Sequence, residues 1–210
     1  MILHRTIAIV FLCAAAALAQ RARVDPATLP ARDAHQNLLV AADPYLTPER
    51  YEGLFGKKSP YDSGIVALDV YFRNDNDSPI RVDLESIRLI VAPARQRLSP
   101  LSPEEVADRV LLKGDANPKV PRRPLPFPTS RSSSGKGKAW DQMAVSLRAA
   151  ALSTDVVPPH ATVNGFLFFD LDHQFGAVAR SRLYVPELSF MTDSRALLFF
   201  ELELGANPAK

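Results

Sequence analysis

Residues Gly64 to Asn74 set Val66, Leu68, Val70 and Phe72 in strict alternation with Ala67, Asp69, Tyr71 and Arg73. Successive side chains point to opposite sides only in an extended strand, so period two collects the first set on one face, toward a core. A helix would scatter the same residues around its circumference. The segment predicts a strand and commits the chain to building a sheet around it.

Thr162 to Asp170 predicts another, with Val163, Gly165, Leu167 and Phe169 on one side and Phe166 and Phe168 on the other. Apolar residues on both faces mark a central, covered strand. Leu38 to Ala42 predicts a first strand. Ile80, Val82 and Leu84 alternate, and Ile87 to Val91 continues after them. Arg182 to Met191 and Ala196 to Leu204 are the last strands, the latter with Leu198, Phe200, Leu202 and Leu204 inward and Glu201 and Glu203 outward. Asn74-Asp75-Asn76-Asp77-Ser78-Pro79 is dense in residues that favour turns, so the strands flanking it read as an antiparallel hairpin.

Helix signals are few. Thr47-Pro48-Glu49-Arg50 offers a cap and a proline at the first helical position, with Tyr51, Leu54 and Phe55 on one side and Gly56 as the stop. Ser102-Pro103-Glu104-Glu105 has capping-box spacing and opens a helix to about residue 112. Trp140, Met143, Ala144, Leu147 and Ala151 recur at steps of three and four and predict an amphipathic helix over 140–151. Many strands, turn-rich connections and three short helices between strands favour an antiparallel β-sandwich.

Export is expected from the N-terminus. Arg5 charges a short leading segment, Thr6 to Ala17 is almost wholly apolar, and Ala17-Leu18-Ala19 supplies the small residues of a cleavage site. Residues 1–19 thus read as a signal peptide, with the mature chain starting at Gln20. The apolar run is too short to span a bilayer comfortably, and no later stretch approaches the required length, so no transmembrane segment is expected after cleavage. Cys13, the only cysteine, lies inside that run and lacks the small preceding residue a lipidated cysteine needs. The mature chain is then free of disulfides and thiolate metal sites, which suits a bacterial periplasm or envelope.

About 190 residues remain, enough for one sizeable domain. Residues 20–36 read as a flexible leader, 37–115 as the first part of the sandwich, 140–204 as a helix and the remaining strands of the same sandwich, and 205–210 as a tail. Between them, residues 116–139 change character. Five prolines precede a Ser/Gly-rich stretch that cannot build a core, so a loop or disordered insertion is expected. It carries Lys119, Arg122, Arg123, Arg131, Lys136 and Lys138 and no acid. The whole chain has a net charge of +2, and loss of Arg5 with the leader brings it to +1, so the rest of the mature chain totals −5.

Two segments resemble pieces of a family of secreted bacterial immunoglobulin-like domains, the group that includes mycobacterial immunoprotective secreted antigens. One is Val70-Tyr71-Phe72-Arg73-Asn74-Asp75-Asn76-Asp77-Ser78-Pro79-Ile80, a strand, an Asn-rich turn and a strand. The other runs from Val157-Pro158-Pro159-His160 through Thr162-Val163-Asn164-Gly165-Phe166 to Asp170. His160 stands where that family usually has glycine. The resemblance covers about a third of the chain. It implies an immunoglobulin-like sandwich outside the cytoplasm and transfers no functional residue.

Chemistry-bearing residues are sparse. Asn74-Asp75-Asn76-Asp77 has alternating oxygen ligands, with Asp75 and Asp77 as weak metal candidates, but a calcium loop would need glycine where Pro79 stands. A hairpin turn explains the run without metal. Asp170, Asp172 and His173 cluster after the strong strand and could serve an acid/base or metal site, although the spacing matches no known ligand pattern and strand ends are ordinarily polar. No Gly-x-Ser-x-Gly elbow occurs, and Ser134-Gly135-Lys136-Gly137-Lys138 lacks the upstream glycine and strand of a phosphate loop.

The basic insertion would attract anionic partners such as lipid head groups, an anionic polymer or an acidic protein face, or else remain a solvated loop. It has too few aromatics to stack nucleic-acid bases. The sequence therefore points to an exported, non-enzymatic binding or assembly module of the cell envelope, with no cofactor. The alternative is an exported hydrolase or metal-binding protein using Asp170, Asp172 and His173.

Overall fold

The computed structural model describes residues 24–56, 58–93, 95–111 and 137–205. Among these, eleven strands form three antiparallel sheets, with three α-helices. The fold is mostly β.

The first sheet holds β1 (Ala31–His35), β2 (Leu38–Tyr45), β3 (Ile65–Asn74) and β8 (Ala161–Asp170), hydrogen-bonded in that order. The second holds β4 (Ile80–Val82), β7 (Val156–Val157) and β10 (Leu188–Phe190), with β4 between the other two. The third runs β11 (Phe200–Glu203), β9 (Arg182–Val185), β5 (Arg88–Val91), β6 (Gln96–Leu98). The two segments that carry the family resemblance pair directly: β3 and β8 run antiparallel in register from Ile65↔Asp170 to Asn74↔Ala161.

Val66, Leu68, Val70 and Phe72 face the core as their spacing predicts. They pack with Leu167 and Phe169 of β8 against Leu89, Leu183, Val185, Phe200 and Leu202 of the third sheet and Ile80 and Val82 of the second. The opposite face of β3 is covered too, and here the structure departs from a simple half-exposed strand. Ala67 is fully buried, and Asp69 and Tyr71 are 2% and 6% exposed.

The helices provide much of that cover. Tyr51 and Phe55 of α1 (Pro48–Phe55), Val106, Ala107 and Val110 of α2 (Pro103–Leu111), and Met143, Ala144 and Leu147 of α3 (Lys138–Ala150) pack on Ile65, Ala67, Phe166 and Phe168. They form a layer on the sheet. The residues at steps of three and four supply its inner face, as amphipathic spacing requires. Leu29, Leu39, Ala41 and Tyr71 form a smaller apolar cluster elsewhere on that sheet.

Three further differences have simple causes. Residues 31–35, inside the expected flexible leader, form β1, because the antiparallel ladder from Ala31↔Ala42 to His35↔Leu38 supplies backbone hydrogen bonds whatever the side chains. Arg182 to Met191 is two strands, β9 and β10, broken at Pro186-Glu187, where Glu187 has φ of 52°. Leu198, expected inside, is 63% exposed. Regular pairing of β11 begins only at Phe200, so alternation has no sheet to act on before it.

The Asn-rich turn closes no hairpin: β3 and β4, expected to pair across it, lie in different sheets, and the turn acts as a junction between them. The Asn74 side chain is fully buried, its Nδ2 within 2.9 Å of Ser78 O and 3.2 Å of Val157 O and Pro158 O. Asn76 Nδ2 donates to the backbone oxygens of Gln36 and Asn37 in the β1–β2 turn. One amide pair thus joins three connections at one end of the molecule.

Candidate functional site

A cleft of about 430 Å³ opens at the side of the layered strands. One wall is Val91 of β5 with Gln96 and Leu98 of β6 and the following Ser99. The other is Asp170 at the end of β8 and Leu171, Asp172 and Gln174 of the turn after it, with Ala177. Leu101, just before α2, and Arg109 of α2 complete it.

The turn is built by backbone constraints. Leu171 N–H donates to Gly64 O at 2.9 Å, and a Cβ on Gly64 would lie 2.6 Å from His173 N, so only glycine admits this approach. Asp172 and His173 follow with φ of 46° and 65°, the left-handed region that short polar residues tolerate best. Asp170 Oδ1 accepts the Asp172 backbone N–H at 3.0 Å and holds the bend. Asp170 Oδ2 accepts from the Arg109 guanidinium, a pair about 40% exposed on each side. Asp172 is exposed.

The structure thus brings Asp170 and Asp172 together and adds Arg109, which no sequence spacing signalled because it lies 61 residues away. His173 does not line the cleft. Its ring lies edge-on to Phe175 at 6.5 Å, and Phe175 in turn stacks on Tyr61 at 4.2 Å. Asp170 is thus held on both oxygens, one by a guanidinium and one by a backbone N–H, an arrangement that fixes the cleft wall.

The other candidates are placed as follows. Asp75 accepts from Arg73 Nε at 3.1 Å, and Asp77 lies 2.8 Å from His160 Nε2, so both are engaged around the turn. Lys138 is the first residue of α3. Lys119, Arg122, Arg123, Arg131 and Lys136, like residues 1–19, expected to be a signal peptide, lie outside the described residues. Among the described residues no group of three or more His, Cys, Asp or Glu converges as a metal-binding cluster, and no helix is long and apolar enough to cross a membrane.

A second polar feature escaped the sequence reading. Asp69, an outward position of β3 by alternation, is buried and accepts Tyr71 OH at 2.9 Å and Asn164 Nδ2 at 3.0 Å. Burial pushes the Tyr71 phenol well above the ordinary tyrosine range, and the Asp69 carboxylate adds to it. The signal was available: Asp69 stands between Leu68 and Val70, and Asn164 between Val163 and Gly165, polar residues inside apolar stretches of the central strands.

No protein-family profile matches this chain, and no curated protein does. Among solved structures, it is similar to a functionally unknown protein from Listeria monocytogenes EGD-e at 14% identity and a TM-score of 0.33, over 74% of this chain and 70% of that one.

Proposed function

We propose that this protein is an exported, non-enzymatic binding or assembly module of a bacterial cell envelope, built on an immunoglobulin-like sandwich. The observation that carries the non-enzymatic reading is the state of Asp170. Both its oxygens are committed, one to Arg109 and one to the Asp172 backbone, so the acid best placed for chemistry works as a scaffold of the cleft wall. The turn of His173 away from the cleft weighs the same way against a hydrolase or metal site using Asp170, Asp172 and His173.

Export is supported by the leader pattern of residues 1–19, and the immunoglobulin-like fold by the packing of antiparallel sheets across one apolar core. Partners would be another envelope protein or an anionic polymer or lipid surface.

The test is to fractionate producing cells and measure the mature protein's mass and metal content. The proposal expects an envelope or secreted protein beginning at Gln20 and carrying no stoichiometric metal. Retention in the cytosol with Met1 intact, or a hydrolytic turnover abolished by Asp172→Ala, would overturn it.

A further inference from the structure

Resting on that binding role, we infer that the cleft takes an extended polypeptide segment of a partner protein, added as a strand along β6 with one basic side chain seated on Asp172. β6 ends its sheet: it pairs with β5 through Leu89↔Leu98, Ile90↔Arg97 and Val91↔Gln96 and, among the described residues, has no strand on its other side. Gln96 and Arg97 are exposed. A strand edge presents backbone N–H and C=O groups that another extended backbone satisfies, whatever its sequence.

The cleft lies beside this edge, so an added strand would have one wall for its backbone and a second for its side chains. Leu98, Val91, Leu101 and Leu171 give alternate side chains an apolar surface. The charge selects the rest. Arg109 and Asp170 neutralise each other, whereas Asp172 is exposed and makes no ion pair among the described residues. The described lining residues of the cleft are left with one net negative charge, complementary to Lys or Arg.

The test uses the mature chain, isotopically labelled, with four hexapeptides: Thr-Val-Lys-Val-Thr-Val, its Lys→Glu form, and two forms of the first N-methylated at alternate amides, one in each register. The expected result is that the lysine peptide perturbs the amides of Gln96 to Ser99 and of Asp172. The glutamate peptide binds more weakly, and one N-methylation register abolishes binding. Asp172→Asn, which keeps a residue tolerant of left-handed backbone, weakens the lysine peptide by about two- to fivefold, the scale of an exposed ion pair. Asp172→Lys reverses the preference between the two peptides.

Perturbation of the cleft amides by a neutral oligosaccharide but by none of the peptides would overturn the inference while leaving a binding role intact. So would binding insensitive to both N-methylation registers, or self-association through Gln96 to Ser99 at rising concentration. Hydrolysis of a peptide in this assay would instead sink the binding role itself.

Discussion

Asp43 and Asp69 lie directly opposite each other in the β2–β3 ladder, and the fold treats the two carboxylates differently. Asp43 forms a two-pronged pair with Arg50, at 3.0 and 2.6 Å, with the guanidinium 3.7 Å from the centre of the Tyr45 ring. Asp69 is buried and bound to Tyr71 and Asn164. Two like charges facing across a ladder repel, so each needs its own set of donors.

Asp69→Ala should therefore destabilise the protein by about 2–4 kcal/mol, because it strands buried donors that a charged acceptor now satisfies. Tyr71→Phe, which removes one donor and leaves the carboxylate its other contacts, should cost about 1 kcal/mol. Urea unfolding midpoints at constant slope measure both. An Asp69→Ala loss below that of Tyr71→Phe would contradict the account.

Alkaline pH should unfold the protein through its tyrosines. Burial raises the Tyr51 and Tyr71 phenols well above their ordinary range. An unfolded tyrosine releases its proton near about pH 10. Above that pH the unfolded chain has lost protons the folded chain still holds, so stability falls as pH rises. It should be intact below about pH 10 and decline toward pH 12, less steeply in Tyr71→Phe. A curve flat or rising over that window in the wild-type protein would contradict this.

Gly165 is fixed by close approach. A Cβ there would lie 2.5 Å from both Cα and N of Leu152, whose N–H donates to Phe166 O at 3.0 Å along the edge of β8. Gly165→Ala must push the chain after α3 off that edge and should cost about 1–3 kcal/mol, the scale of overpacking a core. Thermal melts read it directly. An unchanged melting temperature would mean that the α3–β8 connection is looser than described.

The helices and sheets should unfold together. Trp140, the sole tryptophan, donates its indole N–H to Asp108 at 2.7 Å and joins α3 to α2, while both helices pack on Phe166 and Phe168. Tryptophan fluorescence and far-ultraviolet circular dichroism should give coincident denaturant transitions. An earlier fluorescence transition would show the helical layer to be a separate unit.

Local pattern revealed elements whose fate is decided locally. The alternation of Val66 to Phe72, the capping box Ser102–Glu105 and the spacing of Trp140 to Leu147 predict β3, α2 and α3 close to where they lie. Position relative to other elements was not legible. Residues 31–35 look polar and become a strand because β2 offers a partner. Leu198 alternates correctly and is exposed because pairing starts after it. Two acids of the cleft wall, Asp170 and Asp172, stand in one sequence cluster. Arg109 and β6 reach it only through the packing of α2 and the third sheet.

The measurement that bears most directly on the binding role is site-specific photo-crosslinking in producing cells, with the probe at Gln96 on the cleft lip or at Val145, 60% exposed on α3. A discrete, light-dependent adduct in the envelope fraction is expected from Gln96 and none from Val145. No adduct from Gln96, or the same adducts from both positions, would contradict the binding role.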